Sequence, residues 1–121
     1  MFGKKKPATQ FKVQTVQEYF DRLEERFVPD AAKKIDAVFQ WTIRGEEALT
    51  YHVFLNHGSM TLVEGGHENA DAGISIDSGD FLRIINGETE GKRLFLTGKA
   101  SVNGNLKLAM KFQNIFPPAA K

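Results

Sequence analysis

Residues 94–116 of this 121-residue chain, LFLTGKASVNGNLKLAMKFQNIF, determine the predicted fold. The apolar turn at residues 94–96 runs into Gly98, which can adopt the left-handed conformation that ends a helix. A short alternating strand follows, and Asn103 and Gly104 then form a turn pair that tolerates positive φ. The segment therefore predicts a helical turn, a strand and a tight turn that leads into a last helix.

The last helix, which begins near Leu106, is predicted to have a wide apolar surface. At about 100° per residue, its polar side chains Lys107, Lys111 and Asn114 share one narrow stripe. Most other positions are apolar: Leu106, Leu108, Ala109, Met110, Phe112, Ile115 and Phe116. A helix of a small domain needs an apolar face only about 100° wide. We therefore expect something besides the core to cover part of this surface.

This segment resembles the carboxyl-terminal motif of sterol carrier protein 2 domains. The features that carry the resemblance are the Gly98-Lys99 pair, the Asn103-Gly104-Asn105 turn and the Leu108-Ala109-Met110-Lys111 run with Gln113. Upstream, a strand, the helix after it and a helix-ending glycine resemble the family at residues 70–76, Asp80-Phe81-Leu82 and Asn86-Gly87. The resemblance spans residues 15–116. It implies the strand order 3-2-1-4-5 and a hydrophobic tunnel between the sheet and the helices.

The amino-terminal half begins with a predicted amphipathic helix. Thr15 and Glu18 have the spacing of a capping box, which starts a helix. The helix has one narrow apolar stripe, formed by Val16, Tyr19, Phe20, Leu23 and Phe27. Pro29 ends this helix or starts the next short turn. The helix is therefore expected to pack against the rest of the domain by one edge.

From Ala37 the apolar period changes to two, which predicts strands. Three strands form an antiparallel meander, with inward positions Phe39, Trp41, Ile43, Leu49, Tyr51, Val53, Leu55, Met60 and Leu62. A fourth strand is centred on Ile74, a helix capped by Asp77 or Ser78 follows, and a fifth strand contains Ala100 and Val102. The predicted class is α+β: a five-stranded sheet covered on one face by helices.

Composition limits the classes of protein to consider. The length suits one domain, and the absence of cysteine excludes disulfides and a thiol nucleophile. No apolar stretch approaches the roughly 20 residues that span a bilayer. A net charge of +1 argues against a broad nucleic-acid-binding surface. We therefore expect a cytoplasmic protein with no nucleic-acid partner and no cofactor.

The chain is predicted to consist of a flexible basic tail, residues 1–14, and a lipid-binding domain, residues 15–118. The tail contains Lys4, Lys5 and Lys6, which at an anionic membrane would contribute about 3 kcal/mol, too little for stable anchoring. A solvated tail is favoured over weak, transient membrane contact. The final residues 119–121 differ from a Ser-Lys-Leu address, which argues against peroxisomal targeting.

No pattern in the chain predicts catalysis or a metal site. Ser59 lacks the second glycine of a nucleophile elbow, and Gly87 and Gly91 form no phosphate cradle. The loop at residues 64–71 gathers one histidine and three carboxylates without the spacing of metal ligands, which favours a solvated loop. His52 alternates onto the polar face of its strand, where a surface histidine is expected.

Gln113 is the one polar residue predicted on the apolar side of the last helix. It lies between Leu106 and Ala109 on the helical wheel. A buried amide without partners costs roughly 1–3 kcal/mol, so this one needs a partner. Two alternatives stay open: a backbone carbonyl of the protein, which is slightly favoured, or the polar end of a bound lipid. The resemblance supports the second, because the matching glutamine lies near the family's ligand pocket.

The resemblance implies a non-enzymatic carrier that holds a fatty acid, acyl-CoA, phospholipid, isoprenoid or sterol in an apolar cavity. The predicted ligand-binding residues are Phe20, Leu23, Phe81, Leu82, Ile85, Phe95, Leu106, Ala109, Met110, Phe112, Gln113 and Phe116. Ala100 stands where the family commonly has leucine, which implies a different pocket shape there. The alternative is an accessory module with a filled cavity, whose last helix docks onto an enzyme of lipid or quinone synthesis or onto a second copy. A domain with its own enzymatic activity is the third hypothesis.

Overall fold

The structure, a computed structural model, describes residues 11–119. Its strands are β1 (Asp36–Arg44), β2 (Leu49–Asn56), β3 (Ser59–Glu64), β4 (Ala72–Asp77) and β5 (Ala100–Gly104). Its α-helices are α1 (Val16–Asp21), α2 (Ser78–Ile85), α3 (Gly91–Leu96) and α4 (Leu106–Ile115). Two 3-10 turns, Leu23–Arg26 and Pro29–Ala32, connect α1 to β1.

The five strands form one mixed sheet in the order β3-β2-β1-β4-β5. Strands β1, β2 and β3 pair antiparallel as a meander, β4 pairs parallel with β1, and β5 pairs antiparallel with β4. The predicted α+β class and strand order are confirmed. Asn103 and Gly104, predicted as a turn pair, are the last two residues of β5. Gly104 has the positive φ that the prediction allowed, +77°, and a β-carbon there would collide with the carbonyl oxygen of Asp71.

Thr15 is the predicted N-cap of α1, while the Glu18 carboxylate bonds one residue before the N-cap N–H that a capping box would use. The hydroxyl of Thr15 accepts a hydrogen bond from the backbone N–H of Glu18 at 3.0 Å, and the Glu18 carboxylate accepts one from the Gln14 N–H at 2.8 Å. The α-helix ends at Asp21, so the predicted apolar stripe continues into a 3-10 turn. Pro29 occupies the first turn of the next 3-10 segment, where its missing N–H needs no partner.

The inner face of the sheet and α1 share an aromatic core. The Phe20 ring packs edge-on against Trp41 at 5.0 Å between centroids and stacks on Tyr51 at 4.3 Å. Tyr19 meets Phe81 of α2 edge-on at 5.1 Å. Edge-to-face and offset aromatic pairs at these distances stabilise a core beyond the apolar area that they bury. This cluster fixes α1 and α2 against the middle of the sheet.

Residues just outside the predicted bounds of the domain pack against it. Residues 1–10 of the predicted tail lie outside the described residues, but Val13 is buried and exchanges two hydrogen bonds with the Asn86 side chain, at 2.9 and 2.8 Å. At the other end, Ala119 is buried and its N–H donates to the Ile85 carbonyl at 2.8 Å. The segments that flank the predicted bounds of 15 and 118 therefore both pack beside the end of α2.

Arg26 ties the two ends of the domain together. Its side chain is 1% exposed, and its guanidinium donates to the carbonyls of Phe11 and Pro117 at 3.3 Å each. Burial lowers the pKa of Arg26 and raises the pKa of Tyr19, whose ring lies under the guanidinium. Within residues 11–119 no carboxylate forms a salt bridge with Arg26. The two backbone carbonyls therefore supply its acceptors.

Candidate functional site

An apolar cavity of about 450 Å³ lies between the sheet and helices α2, α3 and α4. Its wall consists of side chains from β1, β4 and β5, from the three helices and from the segment after α4. The lining residues are Phe39, Ile74, Phe81, Ile84, Ile85, Gly91, Lys92, Phe95, Leu96, Ala100, Val102, Leu106, Ala109, Met110, Phe112, Gln113, Phe116 and Pro118. The volume falls in the range of small-molecule sites. The structure has a cavity between the sheet and the helices, where the tunnel is predicted. That the cavity continues as a tunnel stays a prediction.

Helix α4 forms one wall and is held at both ends. The side chain of Asn105 caps it by accepting from the Leu108 N–H at 3.0 Å. At its end, the Ile115 carbonyl accepts from the Val28 N–H at 2.9 Å. The capping follows from the sequence, because asparagine is among the preferred N-cap residues. The helix therefore has a fixed direction across the sheet.

Aromatic contacts connect this wall to the sheet. The Phe112 ring stacks on Phe39 with centroids 4.6 Å apart and packs edge-on against Trp41 at 5.3 Å. Phe116 approaches Trp41 at 5.9 Å. These rings form the boundary between the core and the cavity. Phe112 is only partly buried, since one side of it faces the cavity.

The structure brings together most of the predicted ligand-binding residues. Nine line the cavity: Phe81, Ile85, Phe95, Leu106, Ala109, Met110, Phe112, Gln113 and Phe116. Phe20, Leu23 and Leu82 do not line it. Phe20 and Leu23 are nearly fully buried in the core, and Leu82 is partly buried against it. Their apolar period predicted burial but did not distinguish the core from the cavity wall.

Sequence reasoning missed nine of the eighteen residues that line the cavity. Lys92 and Leu96 of α3 line it, as do Ile84 of α2 and Phe39 of β1. The apolar turn at residues 94–96 is a signal for the α3 wall, of which only Phe95 is among the predicted ligand-binding residues. Ala100, which stands where the family commonly has leucine, lines the cavity.

Gln113 is exposed, so the prediction that its amide is buried is wrong. Helix α4 is open to solvent along the side that carries Leu106, Met110 and Gln113. Gln113 forms no hydrogen bond with another described residue, and its side-chain nitrogen would lie 3.2 Å from a β-carbon placed on Gly91. Gly91 therefore allows the Gln113 amide to lie across the mouth of the cavity, between α3 and α4.

The outer face of the sheet is also partly covered, which corrects the expectation for His52. The loop after β3 folds over this face, and His52 is only 5% exposed beneath it. Its Nδ1 lies 2.7 Å from the Gly65 carbonyl oxygen, and the His67 ring is 5.1 Å away. The Gln40 side chain holds the loop by accepting from the His67 N–H at 2.8 Å. The loop that follows the next strand thus buries a residue on the polar face.

Among the described residues, no three histidine or acidic side chains are grouped to hold a metal ion. In the same part of the chain, no helix has the length and hydropathy to cross a bilayer. The single charged residue in the cavity lining is Lys92. The site is therefore an apolar cavity whose polar side chains are Lys92 and Gln113.

Known proteins share this sequence pattern and fold. A family model described as the SCP-2 sterol transfer family matches residues 17–117. Hydroxysteroid dehydrogenase-like protein 2 of Xenopus tropicalis is 30% identical over 101 residues, which is 83% of this chain and 24% of that protein. Sterol carrier protein 2 of Homo sapiens is 33% identical over 95 residues, 75% of this chain and 16% of that protein. The chain thus spans about a quarter or less of these relatives.

The fold is similar to that of a solved structure of comparable length. The solution structure of palmitated SCP2L2 from Aedes aegypti superposes with a TM-score of 0.71. The match covers 89% of this chain and 99% of that chain at 20% identity. At this identity the likeness concerns the fold.

Proposed function

Because the chain belongs to the SCP-2 sterol transfer family, we propose that it is a non-enzymatic carrier that holds one lipid in the cavity beside α4. The observation that supports this most is the 450 Å³ cavity with an almost entirely apolar lining. A lipid with an acyl, isoprenoid or sterol body would fill that space. The lining has no arrangement of nucleophile, base and orienting group that an enzyme would need.

The cavity is thermodynamically unfavourable without a ligand. If it were dry, it would cost roughly 10 kcal/mol at about 24 cal/mol per Å³, which is comparable to the whole stability of a small domain. If it is filled with water, its apolar wall is hydrated, which is also unfavourable. A lipid chain removes either penalty. Ligand binding is therefore expected to stabilise the folded protein strongly.

Thermal unfolding of delipidated protein tests this function. At free ligand one hundred times the dissociation constant, binding stabilises the folded state by about 2.7 kcal/mol. For a domain of this size we expect the Tm to rise by roughly 10 °C. The probes are palmitate, which the Aedes aegypti protein of the same fold was solved with, palmitoyl-CoA, a sterol and an isoprenoid alcohol. If none of them changes the Tm, the carrier function is wrong and a docking module takes its place.

The exposed position of Gln113 gives a sharper test of how the lipid's polar end is bound. If its amide bonds to that end, Gln113→Leu should lower ligand affinity about fivefold, the effect of one lost hydrogen bond. The free energy of unfolding should change by less than about 0.5 kcal/mol, because the residue is at the surface. Isothermal titration and chemical denaturation measure the two quantities.

The matched control for this variant is Asn114→Leu. Asn114 is the next residue of α4, is also exposed and does not line the cavity. We expect its affinity to equal that of the unmodified protein. Equal affinities in both leucine variants would contradict a contact between Gln113 and the lipid.

A further inference from the structure

The mouth of the cavity carries an exposed apolar cluster. Six large apolar side chains are exposed among the described residues, and four of them line this one cavity. These four, Phe95, Leu96, Leu106 and Met110, are called the rim below. Leu96 is 74% exposed and Met110 is 70% exposed. Exposed apolar residues scattered singly are normal, but a cluster around one opening indicates an interaction surface.

Exposed basic residues lie on or next to the same elements as the rim. Lys92 and Arg93 lie on α3, Lys99 lies in the turn before β5, and Lys107 and Lys111 lie on α4, all of them exposed. The four salt bridges formed by the described residues involve none of them. They are therefore free to meet negative charges outside the chain.

The charge of the whole chain is divided along its sequence. All fifteen acidic residues precede residue 91, while six of the sixteen lysines and arginines follow it. The net charge of +1 conceals this asymmetry. The part of the chain that contributes α3, β5 and α4 is strongly basic, and the remainder is acidic. The rim and these five basic residues, on α3, on α4 and in the turn between α3 and β5, are together called the basic face; exposed Glu88 and Glu90 directly precede α3.

We propose that this face docks onto a bilayer that contains anionic phospholipids, with the rim inserted among the lipids. Apolar side chains flanked by lysines suit the interface between headgroups and acyl chains. A symmetric dimer formed through this face would instead bring the five basic residues of one copy against the same five of the other. The repulsion between these like charges makes such a dimer unfavourable. Docking adds a partner to the proposed carrier function, because it would place the mouth of the cavity against the source of its lipid.

Vesicle binding of the full-length protein tests the docking face. Each lysine near an anionic surface strengthens binding about fivefold. We expect Lys107→Gln with Lys111→Gln to weaken binding to phosphatidylcholine vesicles with 30% phosphatidylglycerol by about 25-fold, on the order of the two contributions combined. Neither lysine lines the cavity. The substitutions therefore leave the wall of the lipid site unchanged.

The matched control is Lys33→Gln with Lys34→Gln. These lysines are exposed and lie near the β2–β3 turn, where the Cα of Lys33 is 4.0 Å from a β-carbon placed on Gly58. That turn joins the strands at the edge of the sheet opposite β5. We expect the control to bind vesicles within about twofold of the unmodified protein. Equal vesicle binding by the two double variants would overturn the proposal.

Two further measurements complete the test. Leu96→Ser should weaken vesicle binding at least tenfold, on the order of the transfer of one leucine side chain. Replacing Lys4, Lys5 and Lys6 by glutamine tests the tail. If this alone abolishes vesicle binding, or if vesicle-free protein is a dimer that Leu96→Ser dissociates, the docking face is wrong. Palmitate affinity is measured without vesicles on the same samples, so failure of the carrier function is recorded separately.

Discussion

Replacing Ala109 by tryptophan is expected to lower lipid affinity at least 100-fold while the domain stays folded. Ala109 lies on the cavity side of α4, is partly buried and has the smallest side chain in that helix. An indole there would project into the cavity and occupy the space that a lipid chain needs. Burial of the ring should maintain or raise the free energy of unfolding, because it fills apolar space. Titration with a fluorescent fatty acid measures the loss.

Ala48→Trp is the control for this substitution. Ala48 is exposed in the turn between β1 and β2 and does not line the cavity. The same indole placed there should leave lipid affinity within about twofold of the unmodified protein. Equal affinity in both tryptophan variants would show that the lipid binds elsewhere. The comparison therefore tests the position of the ligand, independently of its identity.

Phe112→Ala is expected to lower the free energy of unfolding by about 3–4 kcal/mol. Its ring stacks on Phe39 and meets Trp41 edge-on, so truncation would join the cavity to the core. The value lies in the lower part of the range for phenylalanine truncations because one side of the ring already faces the cavity. Urea denaturation measures the change. A loss of this size is a large fraction of the stability of a small domain.

Leu96→Ala is the control for stability. Leu96 also lines the cavity but is 74% exposed. We expect its free energy of unfolding to change by about 0.5 kcal/mol or less. If Phe112→Ala and Leu96→Ala are equally stable, the aromatic boundary between α4 and the sheet is misplaced.

The elements that depend on local chemistry could be predicted from the sequence. Thr15 and Asp77 cap their helices as expected. Gly98, with φ +80°, ends the turn that contains α3. Period-two apolar patterns placed the inner face of the sheet. The order of the strands could not be predicted from local patterns, because β1 pairs with β4, a segment distant in sequence. It came from the family resemblance and is confirmed.

The residues that sequence reasoning misplaced depend on long-range packing. The sequence predicts the correct face of the sheet for His52 but predicts an exposed side chain. The side chain is buried because the loop after β3 folds over that face. Gln113 was assigned to the apolar side of α4, but that side is open to solvent at the mouth of the cavity. Hydropathy along a helix identifies a face and does not say what covers it. Val13 shows the same limit, since its partner Asn86 is 73 residues away.

Native mass spectrometry of delipidated protein tests most directly whether the cavity holds one lipid. The protein is mixed with equimolar palmitate, palmitoyl-CoA, a sterol and an isoprenoid alcohol, and the bound lipid is identified from its mass. The carrier proposal predicts one lipid per chain for the unmodified protein and for Ala48→Trp, and none for Ala109→Trp. Adducts of equal abundance on all three proteins, or an unmodified protein that binds no lipid, would contradict it.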